Sequence, residues 1–331
     1  MVNFVEAQKP LLHGLVKMAG LRPLLIEVEP GNMMHFWVPK HHLASNKKIA
    51  PNSSDTPHED NESEEKKNKN KKKKKKSKPA LLLVHGFAAE GIVTWQFQFG
   101  VLVTKYDVYI PDLFFFGQST TGNADRSPDF QAMSVAKGLG KLGVSRCDVV
   151  GFSYGGMVAF KMAEARPDLV RSLVVSGSVI TMTDSINEAS LAGLGVSSSS
   201  ELLLPETVDR LKALLSISMH KKMWFPNRLY KDYLEIMFVH RKERRELLEG
   251  LVISNTDAKI PVFQQRILLL WGENDNIFNL ELAKKMKEQL GEKATLESIP
   301  NAGHLLHVER PCAYNCVLKK FLASVNAEDA N

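Results

Sequence analysis

The sequence Cys147-Asp148-Val149-Val150-Gly151-Phe152-Ser153-Tyr154-Gly155-Gly156 is the part of the chain most informative about its fold. It begins as an apolar run typical of a buried strand and ends in a helical pattern over 157–164. A serine at the tip of such a sharp turn needs residues with almost no side chain two positions away on each side, here Gly151 and Gly155, because the backbone there is strained. The stretch therefore predicts a strand, a turn and a helix, with a hydroxyl presented where a helix N-terminus favours negative charge.

The glycine–serine–glycine spacing matches the nucleophile-elbow motif G-x-S-x-G. By itself the motif is weak, since chance produces it in roughly one in ten chains of this length. The alternative interpretation is an ordinary β–α turn in which the serine caps the helix. A catalytic serine also needs an imidazole base, and the base needs a carboxylate that fixes its tautomer.

Two loops in the carboxyl-terminal third supply these partners. Asp275 follows the apolar run at 267–270, and His304 follows the run at 295–299. Loops that leave the carboxyl ends of parallel strands meet at one edge of a sheet, and Ser153 is predicted at that same edge. The sequence therefore predicts that a hydroxyl, an imidazole and a carboxylate converge there.

The formal net charge of the chain is accounted for by one segment. The formal net charge is +6, and residues 45–79 hold twelve lysines and six acids, so the rest of the chain is balanced. This polar, low-complexity segment is predicted to be a disordered insertion between two strands. A lysine tract can act as a nuclear signal or as a tether to anionic membranes, but most such runs are simply solvated. No nucleic-acid partner is expected.

The three cysteines make no disulfide framework, and Cys312 and Cys316 lack the second pair that a zinc site needs. No signal-peptide pattern or apolar run of membrane-spanning length is present. We therefore expect a cytoplasmic protein without a bound metal. The lysine tract keeps a nuclear or membrane-peripheral location open.

Alternating apolar runs and helical patterns predict the fold class. Residues 10–19 predict a short amphipathic helix, and residues 24–29 and 33–38 predict a β-hairpin. Strands are predicted at 80–84, 108–110, 148–150, 173–175, 267–270 and 295–299, and helices at 130–142, 154–165, 280–290 and 312–323. This alternation is typical of an α/β fold with a mostly parallel sheet flanked by helices.

The exception is residues 178–259, which show helical patches at 206–215, 227–238 and 242–252 and no convincing strand. We interpret this segment as an inserted helical cap. The predicted division of the chain is an N-terminal helix and hairpin (1–44), the insertion (45–79), a first core part (80–177), the cap (178–259), a second core part (260–325) and a tail (326–331).

Beyond the elbow, the chain resembles the α/β-hydrolase fold family over roughly residues 20–325. Val84-His85-Gly86-Phe87 is similar to the oxyanion loop of that family, and Gly303-His304 with Glu309-Arg310-Pro311 resembles its histidine loop. Pro111-Asp112 with Gly117-Gln118-Ser119 resembles its second loop, and Trp271 through Asp275 its acid loop. Within the family, the likeness is to capped, monoacylglycerol-lipase-like serine esterases, including a plant branch.

The resemblance implies a role for each matching residue. Ser153 would be the nucleophile, His304 the base and Asp275 the acid. The backbone N–H groups of Phe87 and Tyr154 would form the oxyanion hole, which is needed because charge develops on the carbonyl oxygen. No metal or organic cofactor is implied.

Rival residues exist for two of these roles. His307 or His85 could replace His304 as the base, and Glu273 or Asp184 could replace Asp275 as the acid. Asp112 is interpreted as a structural carboxylate that binds loop amides.

One departure from the family pattern lies in the second loop. The family often has Arg-Gly where this chain has Phe114-Phe115, which gives the run Phe114-Phe115-Phe116. These aromatic residues, together with Trp224 of the cap, are predicted to line an apolar substrate pocket.

The sequence thus predicts a serine hydrolase that cleaves a carboxylic ester of a lipophilic substrate, as a monoacylglycerol-lipase-like enzyme or a carboxylesterase. One alternative is a small-ligand receptor on a hydrolase scaffold, which would show slow or single turnover. Another is a carbon–carbon bond hydrolase with the same triad. Epoxide hydrolases and dehalogenases of similar fold use an aspartate at the elbow, so Ser153 argues against both.

The expected partner is the small ester, with weak membrane-surface contact through the Lys-rich insertion or the N-terminal helix and no obligate protein partner.

Overall fold

One twisted sheet organises the part of the chain that the computed structural model describes, residues 3–42 and 78–328. Within these residues its strands are β1 (Leu21–Glu29), β2 (Asn32–Pro39), β3 (Ala80–Val84), β4 (Asp107–Pro111), β5 (Thr120–Thr121), β6 (Cys147–Phe152), β7 (Val170–Ser176), β10 (Arg266–Gly272) and β11 (Ala294–Ile299). A separate pair is formed by β8 (Met182–Thr183) and β9 (Val252–Ile253).

The helices of the described residues are α1 (Phe4–Met18), α2 (Gly91–Thr94), α3 (Phe99–Leu102), α4 (Pro128–Lys141), α5 (Tyr154–Ala165), α6 (Asp184–Leu194), α7 (Ser199–Leu203), α8 (Val208–Ser218), α9 (Asn227–Met237), α10 (Arg241–Glu249), α11 (Leu280–Leu290), α12 (Leu306–Glu309) and α13 (Pro311–Glu328).

The strand order is β1-β2-β4-β3-β6-β7-β10-β11, and β5 pairs with β2. The pairs β1–β2 and β2–β4 are antiparallel, whereas every pair from β4 to β11 is parallel. The predicted α/β class with a mostly parallel sheet is therefore confirmed. Because β6 lies between β3 and β7, the elbow at its carboxyl end is in the middle of the sheet.

Both faces of the sheet are covered, which explains why its central strands are almost wholly apolar. On one face the core includes Val135 and Leu139 of α4 and Val158 of α5. On the other face it includes Trp95 and, from α13, Leu318. The parallel strands are thus held between two helical layers, and their carboxyl ends are left free to carry loops.

The helical segment predicted as a cap, residues 178–259, lies between β7 and β10 along the chain. It contains α6 to α10, of which α6 and α7 were not predicted. The short parallel pair β8–β9 joins the two ends of the segment, where no strand was predicted. A pairing of two residues per strand is too short to leave a periodic pattern in the sequence.

The N-terminal helix is longer than its sequence pattern indicated. It begins at Phe4 rather than at residue 10, because the side chain of Asn3 accepts from the amide of Glu6 and Asp232 of α9 accepts from the amide of Phe4. The predicted disordered insertion at 45–79 falls outside the described residues except for Lys78 and Pro79. No helix of the described part of the chain is both long and apolar enough to cross a membrane.

Candidate active site

Ser153 occupies a strained turn between β6 and α5. Its φ of 52° and ψ of −122° lie outside the usual regions for a residue with a side chain. The flanking glycines leave no room for a Cβ atom. One on Gly155 would lie 2.3 Å from the carbonyl oxygen of His85, and one on Gly151 would lie 2.5 Å from that of Gly155. The turn therefore requires glycine at both positions, as the motif predicts.

Ser153, His304 and Asp275 form one continuous chain of hydrogen bonds. His304 Nε2 lies 3.1 Å from Ser153 Oγ, and His304 Nδ1 lies 2.9 Å from Asp275 Oδ2. The second carboxylate oxygen of Asp275 accepts from the amides of Ile277 and Phe278, at 2.8 and 2.9 Å. Because the carboxylate can only accept, Nδ1 donates to it and Nε2 is left to accept from the serine hydroxyl.

Neighbouring strands hold the acid loop and the histidine loop together. β10 and β11 are parallel partners, and the amide of Asn274 donates to the carbonyl of Ala302 at 2.9 Å. A Cβ on Gly272 would lie 2.2 Å from the carbonyl oxygen of Gly303, so the two loops touch through backbone atoms. This contact sets the spacing of Asp275 and His304.

The amides of Phe87 and Tyr154 lie beside the elbow, as the oxyanion hole requires. Neither donates a hydrogen bond to another described residue, and Tyr154 opens α5, where a helix leaves its first amides unpaired. The rings of the two residues are in edge contact, with centroids 6.0 Å apart. Two unpaired donors are therefore available next to Ser153.

His85 supports the loop that contains Phe87. Its Nε2 accepts from the amide of Leu113 at 2.9 Å, so Nδ1 carries the proton and donates to the carbonyl of Gly86. Burial lowers the pKa of His85 and keeps the ring neutral. Both nitrogens are occupied, which excludes His85 as the base in this arrangement.

The other rival residues are also placed away from the hydrogen-bonded chain. His307 is buried against Phe152, with ring centroids 4.3 Å apart, and burial lowers its pKa to about 3. Glu273 accepts from Ser298 Oγ, and Asp184 lies in the first turn of α6. The carboxylate of Asp112 binds the amide of Gly91 and the ring of His35, in keeping with a structural role.

The three phenylalanines of the second loop are buried, and two of them contact the helical segment through Arg244. Phe114 stacks on Phe130, and the ring of Phe116 lies 4.1 Å from the guanidinium carbon of Arg244. Phe115 takes a left-handed φ of 72°, and its carbonyl accepts from Arg244 Nε at 2.9 Å. The hydrogen bond from Arg244 stabilises the conformation that a glycine would adopt without strain.

Trp224 does not reach an enclosed pocket. Its side chain is 83 % exposed, because the neighbouring Phe225 turns inward onto Tyr230 instead. The prediction that Trp224 lines a substrate pocket is therefore corrected.

A cavity that the sequence did not indicate adjoins Asp275. Its volume is about 1030 Å³, and it lies between α6, α11 and residues 258–260. Its wall includes apolar side chains from several segments, among them Val179, Ile180 and Leu282. Two lysines, Lys259 and Lys285, also line it. Because these residues are far apart along the chain, no local pattern could have revealed the cavity.

Glu309 links the histidine loop to the helical segment. Its Oε2 accepts from the amides of Gly303 at 2.7 Å and His220 at 3.2 Å, and its Oε1 accepts from the amide of Lys221 at 2.8 Å. The amide of Leu305 also donates to the carbonyl of Ser218, at 3.0 Å. The residues on both sides of His304 are thus bonded to the chain that follows α8.

Among the described residues, no cluster of three or more His, Cys, Asp or Glu side chains is placed to hold a metal ion.

The sequence profile of the alpha/beta hydrolase fold matches residues 79–311. Epoxide hydrolase 3 of Xenopus tropicalis is 27 % identical over 266 residues, which is 74 % of this chain and 71 % of that protein. Human monoacylglycerol lipase ABHD6 is 24 % identical over 265 residues, which is 77 % of this chain and 78 % of that protein. The crystal structure of a membrane phospholipase A, a bacterial virulence factor, superposes with a TM-score of 0.72 at 22 % identity, over 98 % of this chain and 91 % of the other.

Proposed function

Because this chain belongs to the α/β-hydrolase fold family, we propose that it is a serine hydrolase that cleaves a carboxylic ester of a lipophilic substrate. The observation that carries the proposal is the hydrogen-bonded chain from Ser153 through His304 to Asp275. The two unpaired amides of Phe87 and Tyr154 beside it supply the remaining requirement of acyl transfer.

In the proposed first half-reaction, Ser153 Oγ attacks the ester carbonyl carbon while His304 Nε2 takes the hydroxyl proton. The carbonyl oxygen becomes an oxyanion and accepts hydrogen bonds from the amides of Phe87 and Tyr154. Asp275 stabilises the imidazolium and holds its orientation. When the tetrahedral intermediate collapses, the carbon–oxygen bond to the alcohol breaks, the alcohol takes the proton from His304, and an acyl-enzyme remains.

In the second half-reaction, water replaces the alcohol. His304 Nε2 accepts a proton from the water, whose oxygen attacks the acyl carbon, and the same amides bind the new oxyanion. Collapse releases the carboxylic acid and returns the proton to Ser153 Oγ. Every proton transfer uses the one imidazole, so no metal or organic cofactor enters the scheme.

Epoxide opening by the same residue fails on chemical grounds, although several relatives are named epoxide hydrolases. An aspartate that attacks an epoxide forms an ester, which water can hydrolyse. If Ser153 attacked an epoxide, the product would be an ether, which water does not cleave under these conditions. The serine therefore supports substrates with an acyl carbon.

Apolar surroundings support a lipophilic substrate. Phe87, Phe116 and Tyr154 form an aromatic cluster behind the elbow. The cavity of about 1030 Å³ adjoins Asp275 and is large enough for a lipid-sized group, and its lining does not include Ser153 or His304. The name of the human relative, a monoacylglycerol lipase, favours the same class of substrate.

Reaction with a fluorophosphonate probe tests the proposal. Wild-type protein should take one label at Ser153, and Ser153→Ala should take none. A panel of esters of increasing acyl length then measures turnover, and a vinylogous diketone tests the carbon–carbon alternative. Repeated turnover of esters supports the proposal. Labelling with only a single turnover points to a ligand receptor, and absence of label contradicts the catalytic interpretation.

A further inference from the structure

A short loop between α8 and α9 exposes an unusual amount of apolar surface. We call residues 220–226 the docking loop. Trp224 is 83 % exposed and Met223 50 % exposed, and Lys221 and Lys222 beside them are also exposed. Large apolar side chains standing together in water are uncommon on monomeric proteins and mark interaction sites.

Contacts at both ends of the docking loop hold Trp224 in its outward position. Phe225 is turned inward, with its ring 5.9 Å from that of Tyr230, which is 5 % exposed. At the other end of the loop, the amides of His220 and Lys221 are bound by the carboxylate of Glu309. The loop is therefore anchored at both ends, and Met223 and Trp224 are held outward between the anchors.

The charged side chains of the loop itself, Lys221 and Lys222, are both basic, and the one carboxylate described in contact with it, that of Glu309, binds backbone amides. From residue 210 to residue 231 the sequence contains no aspartate or glutamate and six lysines and arginines. The ammonium groups of Lys221 and Lys222 form no ion pair with any residue in the described ranges. Their charge is therefore available to an anionic partner.

We propose that the docking loop binds an anionic lipid–water interface. Met223 and Trp224 would enter the headgroup region, and Lys221 and Lys222 would contact the acidic headgroups. Tryptophan favours this boundary because its ring is apolar and its N–H is polar. The exposed apolar side chain of Met223 next to the ring favours a lipid partner over a nucleic acid.

Docking would also place the reaction centre at the interface, a consequence that rests on the proposed function. Ser218 and Glu309 bind the amides of Leu305 and Gly303, on either side of His304. The docking loop is thus linked through the carboxylate of Glu309, which binds the amides of His220 and Lys221, to the loop that carries the proposed base. An ester in the membrane surface would enter close to Ser153.

Tryptophan fluorescence of the full-length protein tests the docking directly. The chain has four tryptophans, and Trp37, Trp95 and Trp271 are at most 2 % exposed. A blue shift on adding vesicles of phosphatidylcholine and phosphatidylserine therefore reports Trp224. Wild-type protein should show the blue shift. Trp224→Phe should still bind the vesicles but show no blue shift, and Trp224→Ser should bind them roughly tenfold more weakly.

Matched variants identify the surface involved. Lys221→Gln with Lys222→Gln should weaken binding to the phosphatidylserine vesicles roughly twentyfold and binding to pure phosphatidylcholine little. Val262→Ser, at a position that is 87 % exposed, should not change binding to either kind of vesicle. Met18→Ser, 84 % exposed on α1, should also leave binding intact. Loss of binding in Met18→Ser but not in Trp224→Ser would overturn the assignment.

Two further outcomes separate this proposal from the proposed function. Unchanged Trp224 emission with vesicles, or a shift only with an RNA oligonucleotide, overturns lipid docking even if esters are cleaved. A vesicle-dependent shift in a protein that cleaves no ester supports docking and contradicts the proposed function. Trp224→Ser should retain wild-type turnover of a water-soluble short-chain ester while losing turnover of an ester presented in vesicles.

Discussion

At the scale of single residues, Gly177 sets the room available to the imidazole of His304. It has a φ of +52°, and a Cβ there would lie 2.8 Å from the His304 ring and 3.2 Å from Asp275 Oδ2. The hydrogen-bonded chain therefore depends on a residue that no motif singled out.

Gly177→Ala should lower kcat about a hundredfold, because a displaced imidazole no longer meets Ser153. Gly143→Ala is the matched control, since Gly143 has a φ of +73° but nothing within 4 Å of the added Cβ. Both variants should lose about 1–2 kcal/mol of unfolding free energy from backbone strain. Equal kcat losses in the two would show that strain, and not contact with His304, is responsible.

His307 makes the stability of the fold depend on pH. Its pKa is lowered to about 3 by burial, whereas an unfolded histidine titrates near 6.5. Between these values the unfolded chain binds a proton that the folded chain does not. The unfolding free energy should therefore fall as the pH drops below about 6.5 and recover as it rises.

His307→Phe should reduce that slope by up to about 1.4 kcal/mol per pH unit between pH 6 and pH 4, since it removes one such proton. Denaturant unfolding at a series of pH values measures the effect. His240→Phe is a useful control because His240 is exposed. An unchanged slope in His307→Phe would mean that His307 is already protonated in the folded protein.

At the scale of elements, Arg244 of α10 fastens the helical segment to the second loop. It is 2 % exposed, bonds the carbonyls of Phe115 and Met237, and lies over the ring of Phe116. Burial lowers its pKa to about 10, so the guanidinium is still charged at neutral pH. The strained Phe115 is thus supported from a different element.

Arg244→Met should lower the unfolding free energy by about 2 kcal/mol, because two buried carbonyls lose their donor. Arg245→Met provides the control, since the adjacent Arg245 is exposed and its replacement should change stability by less than about 0.5 kcal/mol. Thermal or denaturant unfolding measures both. If the two variants were equally stable, the contacts of Arg244 would not be what holds the loop.

The types of most helices and strands could be predicted from the sequence, but the first and last residues of several of them could not. The spans of α5 and α11 match their predictions because the elbow motif fixes the start of α5 and the side chain of Asn279 caps α11. α6 was missed because its sequence, rich in Ala, Ser and Gly, buries no residue completely and shows little periodicity. The start of α1 depends on Asp232, more than two hundred residues away.

At the scale of the whole molecule, the sheet order brings three distant loops to one edge. The strands β6, β7, β10 and β11 are neighbours in that order. The loops that follow β6, β10 and β11 carry Ser153, Asp275 and His304. The order of motifs along the chain was enough to predict this convergence. The cavity beside Asp275 and the outward turn of Trp224 depend on how the helical segment packs, which no local pattern records.

In the proposed reaction, Ser153 is acylated by the ester and then freed by water. Intact-mass and peptide-mass measurements after rapid acid quenching of a reaction with a lipophilic ester test it most directly. We expect a transient mass increase equal to one acyl group, located on the peptide that contains Ser153, which disappears as the acid is released and is absent in Ser153→Ala. Turnover of the ester with no acyl group on Ser153, or with the acyl group on another residue, would show that Ser153 is not the nucleophile.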